Sequence, residues 1–161
     1  MSRARALGAA VALAVFALDQ ISKFAVVHGF VVTNAEPTPL LPFLGLTLRL
    51  NPGISFSFFP QQTFSGVALL LLFTLAATAL LSVWLWRTRS PLVGVGLGAI
   101  IGGAFGNAFD RLAYGAVVDF LDFHAFGRHF FVFNLADAAI NIGVVLLLLE
   151  SVLGGRAVKQ A

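Results

Sequence analysis

Four of the chain's seven carboxylates, Asp110, Asp119, Asp122 and Asp137, fall between Gly102 and Asn141, a stretch that begins inside one apolar run and ends inside another. An ionisable side chain near the centre of a membrane helix costs roughly 2.5–3.5 kcal/mol on insertion scales, so each is a functional candidate. Two carboxylates that share a site cannot easily both ionise. One keeps a proton, and the pair can then activate a water while protonating a leaving group. That is general acid–base hydrolysis without a covalent intermediate, and its two macroscopic pKa values belong to the pair. Asp137 could form such a pair with Asp119 or with Asp122, and spacing alone does not choose between them.

Other chemistries are poorly supplied. There is no cysteine, which excludes thiolate catalysis, disulfides and Cys-based zinc sites. Ser55 and Ser57 have no histidine nearby in sequence. His124 and His129 could ligate a metal with Asp119 or Asp122, but a five-residue spacing in an aromatic loop is a weak pattern, and no metal or other cofactor is expected. Asn107, Asn134 and Asn141 are candidate orienting groups. Asn141 follows Asp137 by four, shares its helix face and could hydrogen-bond its carboxylate; buried amides equally serve to bridge helices. Asp19 and Lys23, also four apart, are expected to pair, either as a neutralised tie between helices or as a polar edge facing substrate. Asp110 and Arg111 are expected to neutralise each other or to anchor neighbouring backbone.

The elements that must position these groups are membrane helices. The 161 residues suit one domain, and 59% apolar content with 11% charge does not suit a soluble globule. Four runs can cross a hydrocarbon core: residues 6–27, 65–86, 91–109 and 136–153. Arg3 and Arg5 precede the first, Arg87 and Arg89 separate the second and third, and Arg156 and Lys159 follow the fourth. The positive-inside rule therefore places both termini in the cytoplasm and residues 28–64 and 112–135 outside. Scattered in pairs, the basic residues behind the +3 net charge form no nucleic-acid patch. A cleaved leader is disfavoured, because removing the first run would leave three spans with inconsistent charge bias.

The first outer segment holds Pro37, Pro39, Pro42, Pro52 and Pro60, so most of it is not helical. Leu44, Leu46, Leu48 and Leu50 alternate with Gly45, Thr47, Arg49 and Asn51, and alternation resumes over residues 54–58 after Pro52-Gly53. This reads as an amphipathic β-hairpin that lies on the membrane or roofs a cavity, with a purely structural cap as the plainer alternative. The second run is scaffolding, ending in the interfacial Trp84 and Trp86. In the third, Gly98, Gly102 and Gly106 make a small-residue stripe for close helix packing within one bundle or between copies. Residues 112–133 are dense in aromatic rings suited to the headgroup level. The predicted fold class is an all-α membrane protein, a four-transmembrane-helix bundle with a small extracytoplasmic β-hairpin or β-sheet platform.

Five ordered pieces of the chain resemble the lipoprotein signal peptidase family (signal peptidase II), bacterial aspartyl peptidases of the membrane. Asp19-Gln20 with Lys23 matches D-x-x-x-K, and Asn51-Pro52-Gly53-Ile54-Ser55-Phe56 matches N-x-G-x-x-F. Gly106 to Arg111 fits G-N-x-x-D-R, Val117 to Phe120 fits V-V-D-F, and Phe133 to Asp137 fits F-N-x-A-D. The resemblance implies Asp119 and Asp137 as the catalytic pair, with Asp19, Lys23, Asn51, Gly53, Asn107, Asp110, Arg111 and Asn134 lining or supporting the site. It implies no metal, and prolipoprotein substrates whose lipobox cysteine carries a diacylglyceryl group, cut on the N-terminal side of that cysteine. It also implies contact with membrane lipid, a monomer, and a place in the bacterial inner membrane. The chain departs from the family pattern at Ile54 and Ser55, across residues 128–132 and at Ala138, none of them a proposed catalytic group. A small proton- or ion-coupled transporter and a non-catalytic assembly factor are the competing classes; the acids cluster at the outer end, and no internal repeat pairs broken helices.

Overall fold

Helices and strands alternate in blocks along the chain in the computed structural model, which describes residues 2–29, 37–53 and 64–159. Helix α1 (Arg3–Gly29) is followed by strands β1 (Thr38–Leu41) and β2 (Leu44–Asn51). Helices α2 (Phe64–Arg87) and α3 (Pro91–Tyr114) come next, then strands β3 (Val117–Ala125) and β4 (Arg128–Phe133), and last helix α4 (Leu135–Lys159). All four helices are long and apolar enough to cross a membrane.

Helix α3 lies at the centre because its glycines let two neighbours approach backbone to backbone. A Cβ at Gly94, Gly98 or Gly102 would collide with the α1 backbone at Ala4, Gly8 or Ala12, and one at Gly106 with the Asp19 carboxylate. On the other face, Gly96 and Gly103 lie against α4 at Gly143 and Ala136, and Gly143 lies in turn against Gly96. The predicted stripe is thus used inside the bundle, the close-packing role expected of small residues where lipid supplies no hydrophobic drive. Helix α2 packs at the periphery. Three of its hydroxyls are turned back on its own carbonyls, Thr74 Oγ1 to Leu70 O at 2.8 Å, Thr78 Oγ1 to Thr74 O at 2.7 Å and Ser82 Oγ to Thr78 O at 2.8 Å, so these three present no unmet donor to lipid.

Both ends of α3 are stopped by local chemistry. Ser90 caps the start, accepting from Val93 N–H at 3.4 Å, with Pro91 in the first turn. At the far end Gly115 adopts the left-handed conformation (φ 71°) and donates its N–H to Arg111 O. This turns the chain directly into β3.

The sheet is antiparallel in the order β1-β2-β3-β4. Arg49 lies opposite Asp119 and Gly45 opposite Asp122, while His124 lies opposite His129 across the β3–β4 pair. The two-residue loop between them, Phe126 (φ 52°) and Gly127 (φ 71°), has the positive dihedrals of a tight hairpin turn. Leu46 of β2 and Phe120 of β3 bury against Val26 of α1, with Leu48, Leu121 and Leu135 around them, which docks the sheet on one end of the bundle. The opposite end gathers the basic clusters: the Arg5 guanidinium lies 5.0 Å over the Trp86 ring, and Ser90 Oγ donates to Glu150 at 2.6 Å.

The alternation over 44–50 is a strand, and the hairpin partner expected at residues 54–58 lies outside the described residues; among the described residues the neighbours of β2 are β1 and β3. The aromatic segment after α3 is a second pair of strands, and α3 itself runs to Tyr114, beyond the expected end at Phe109.

Candidate active site

The end of the bundle beneath the sheet collects the polar residues of α1, β2, α3, β3 and α4. Asp119 is 3% exposed on β3, and Asp137 stands in the first turn of α4, partly buried. Two asparagines connect them, and a third holds Asp119. Asn134 donates its side-chain amide to Asp119 Oδ1 at 2.8 Å and to Asn107 Oδ1 at 3.1 Å. Asn107 donates in turn to Asp137 Oδ1 at 2.8 Å. Asn51, at the end of β2, donates to Asp119 Oδ2 at 3.0 Å.

In each case the amide orientation is set by what holds its oxygen. Asn51 Oδ1 accepts from Gly53 N–H at 3.1 Å, a turn that leaves the NH2 group facing Asp119. Asn107 Oδ1 accepts from Lys23 Nζ at 3.1 Å. Asn134 Oδ1 accepts from Asp137 N–H at 2.9 Å, while Asp137 Oδ2 accepts from Asn134 N–H at 3.3 Å. This reciprocal pair is a capping box at the start of α4, so one turn of chemistry both begins the helix and aims Asn134 at Asp119.

Burial lifts the Asp119 carboxyl from 3.8 to about 6. The negative charge of Asp137 adds to the lift, and the hydrogen bonds from Asn51 and Asn134, with the positive charge of Lys23, pull the other way.

Below the asparagines lies a buried charged layer. Lys23 Nζ meets Asp19 Oδ2 and Asp110 Oδ2, each at 2.7 Å, and with Asn107 its three protons are all placed. Asp19 Oδ1 accepts the Ala136 N–H at 3.0 Å, which ties α1 to the start of α4. Asp110 Oδ2 accepts the Val118 N–H at 3.1 Å, which ties α3 to β3 one residue before Asp119. Gln20, which the sequence reading left without a role, donates to Asp19 Oδ2, Gly106 O and Asp110 Oδ1 at 3.1, 3.3 and 3.0 Å. Its position beside Asp19 was the available signal.

Of the two roles expected of Asp110 and Arg111, the structure shows the anchoring of backbone: Asp110 takes the Val118 N–H and pairs with Lys23, and Arg111 Nη1 donates to Asn107 O at 3.3 Å. One assignment is corrected. Asn141 hydrogen-bonds the backbone O of Asp137 at 2.9 Å, not its carboxylate. Asp122 also parts company with Asp119. Three residues apart on one strand, the two carboxylates occupy opposite faces. Asp122 Oδ2 meets His129 Nδ1 at 2.5 Å, whereas Asp119 faces the asparagines that lead to Asp137. An apolar groove of about 320 Å³, lined by Leu13, Phe16, Ile101 and Phe105 among others, opens on the flank between α1 and α3, away from this chemistry.

A helical membrane scaffold with a small sheet over a polar end is the architecture of a bacterial membrane enzyme. Two solved structures described in those words superpose with TM-scores of 0.77 and 0.76, at 25% and 26% identity, over 90% and 88% of this chain and 87% and 90% of theirs. The signal peptidase (SPase) II family matches residues 11–153, and the chain belongs to that family. It is 48% identical to the lipoprotein signal peptidase of Beijerinckia indica over 147 residues, 91% of this chain and 88% of that one. It is also 48% identical to that of Methylocella silvestris (94% and 89% covered) and 45% identical to that of Rhodopseudomonas palustris strain TIE-1 (95% and 96%). The protein is a peptidase of the bacterial membrane, and the transporter and assembly-factor readings fall away.

Proposed function

We propose that the chain removes signal peptides from diacylglyceryl-modified prolipoproteins, cutting on the N-terminal side of the lipidated cysteine, with Asp119 and Asp137 as the water-activating pair. The observation that carries this reading is the continuous hydrogen-bonded path Asp119–Asn134–Asn107–Asp137. It holds two carboxylates of different environment at one site, the requirement for separate acid and base roles. Asp119 carries the shared proton. Asp137 takes a proton from water as the water oxygen bonds to the scissile carbonyl carbon, and Asp119 gives its proton to the departing amide nitrogen as the C–N bond breaks. One proton remains on the pair, so the next turnover needs only a proton shift between them.

The basic clusters at the bundle end opposite the sheet support cytoplasmic termini and an extracytoplasmic site. A lipid-anchored cysteine would then present its scissile bond at the level of the sheet, to a single chain acting alone.

Asp119→Asn and Asp137→Asn should each abolish cleavage of a lipidated precursor by the purified enzyme, with unchanged membrane insertion. Near-normal turnover by either variant would sink the dyad. Side-by-side incubation with modified and unmodified precursor tests the lipid requirement, and equal rates would remove it.

A further inference from the structure

The hairpin β3–β4 gathers three metal-ligating side chains on the sheet face away from Asp119. Asp122 and His124 are two apart on β3 and so share a face, and His129 is the cross-strand partner of His124. The two-residue loop at Phe126-Gly127 is what converts an unpromising five-residue spacing into direct juxtaposition. One ligand atom from each residue lies within 4.8 Å of the other two. Asp122 Oδ2 stands 2.5 Å from His129 Nδ1 and 3.6 Å from His124 Nδ1.

A second, independent observation points to a missing cation. Asp122 is 1% exposed, yet its Oδ1 has no hydrogen-bond partner among the described residues. The groups within ion-pairing distance of it there are the two imidazoles, and no lysine or arginine. A buried carboxylate with an unmet oxygen is costly. The side chains of His124 and His129 are 22% and 55% exposed, so the cluster opens to water.

We propose that Asp122, His124 and His129 bind a divalent transition-metal ion, zinc by preference, at the outer end of the β3–β4 hairpin and apart from the peptidase site. Two imidazoles and a carboxylate form a borderline-soft donor set that suits zinc, whereas magnesium and calcium favour oxygen donors. Ligands about 2.0–2.1 Å from zinc stand roughly 3.3 Å apart in a tetrahedron. His124 is already near that spacing from Asp122, and the exposed His129 moves outward from hydrogen-bonding distance to admit the ion. Water completes the coordination, and the ion ties β3 to β4 beside the turn.

The test is titration of the purified full-length protein, in detergent and stripped with a chelator, with Zn2+ by calorimetry and with Co2+ by its visible absorption. One saturable Zn2+ per chain is expected, with Co2+ competing and Mg2+ not. His124→Ala, His129→Ala and Asp122→Asn should each weaken binding by more than roughly tenfold, the lower end of the cost of losing even an outer partner of a ligand. The His variants, at exposed positions, should keep the folded elution profile and full peptidase activity in chelator. No saturable binding, binding unchanged in the double histidine variant, or equal displacement by Mg2+ would overturn the site. Failure here leaves the proposed dyad untouched, because Asp119→Asn is expected to bind Zn2+ normally.

Discussion

Asn51 shows how one side chain can tune the proposed acid. Its NH2 group donates to Asp119 Oδ2, a bond that favours the ionised carboxylate and partly opposes the lift from burial. A pair that works with one proton loses activity as that proton leaves. With Asp119 at about 6, kcat/KM should therefore fall as pH rises through about 6. Asn51→Ala removes the opposing bond, so the falling limb should move to higher pH; a limb unmoved or shifted to lower pH would contradict the assignment. The same lift has a stability consequence of definite sign. Because the folded carboxyl binds its proton more tightly than the unfolded one at 3.8, this group's contribution to stability is greatest below that value and is lost as pH rises toward about 6. Thermal melting of wild type and Asp119→Asn across that window measures it.

At the level of elements, the start of α4 joins two jobs that can be separated. Asn134 caps the helix through its oxygen and reaches Asp119 through its nitrogen. Asn134→Ala should lose both, with a stability loss of about 0.5–2 kcal/mol from the missing cap. Asn134→Ser keeps a capping oxygen but not the reach, so its melting should approach wild type while its cleavage rate stays low. Equal activity in the serine variant would show that the amide bridge is dispensable. The helices themselves were legible because long apolar runs and paired basic residues report them directly. Strands β3 and β4 were not. Residues 117–120 are buried on both faces, so the period-two alternation that marks a half-buried strand is missing there. That single omission is also why Asp119 and Asp122 could not be told apart from spacing, since on a strand an odd separation places them on opposite faces. Of the two roles expected for Asp110 and Arg111, backbone anchoring is seen and mutual neutralisation is not. Adjacent helical residues do not face each other, and the partner came from another helix.

Over the whole molecule, one lysine holds the buried charged layer together. Lys23 neutralises Asp19 of its own helix and Asp110 of α3, and both acids take backbone N–H groups from the elements that carry the proposed dyad. Lys23→Met leaves two buried carboxylates without their cation, and losses of about 3–5 kcal/mol follow when one partner of a buried pair is removed. The yield of folded protein in detergent and its melting temperature should both drop well below wild type. A variant that melts normally would show the layer to be incidental.

The bond from Ala136 N–H to Asp19 Oδ1 joins residues 117 apart in the chain. In biosynthesis this means that the beginning of the protein waits for its end. While the ribosome is still making α2 and α3, Asp19 and Lys23 have already been made, and Asp137 does not yet exist as their neighbour. With Asp137 as half of the proposed dyad, proteolytic competence is expected only once the last helix has been made.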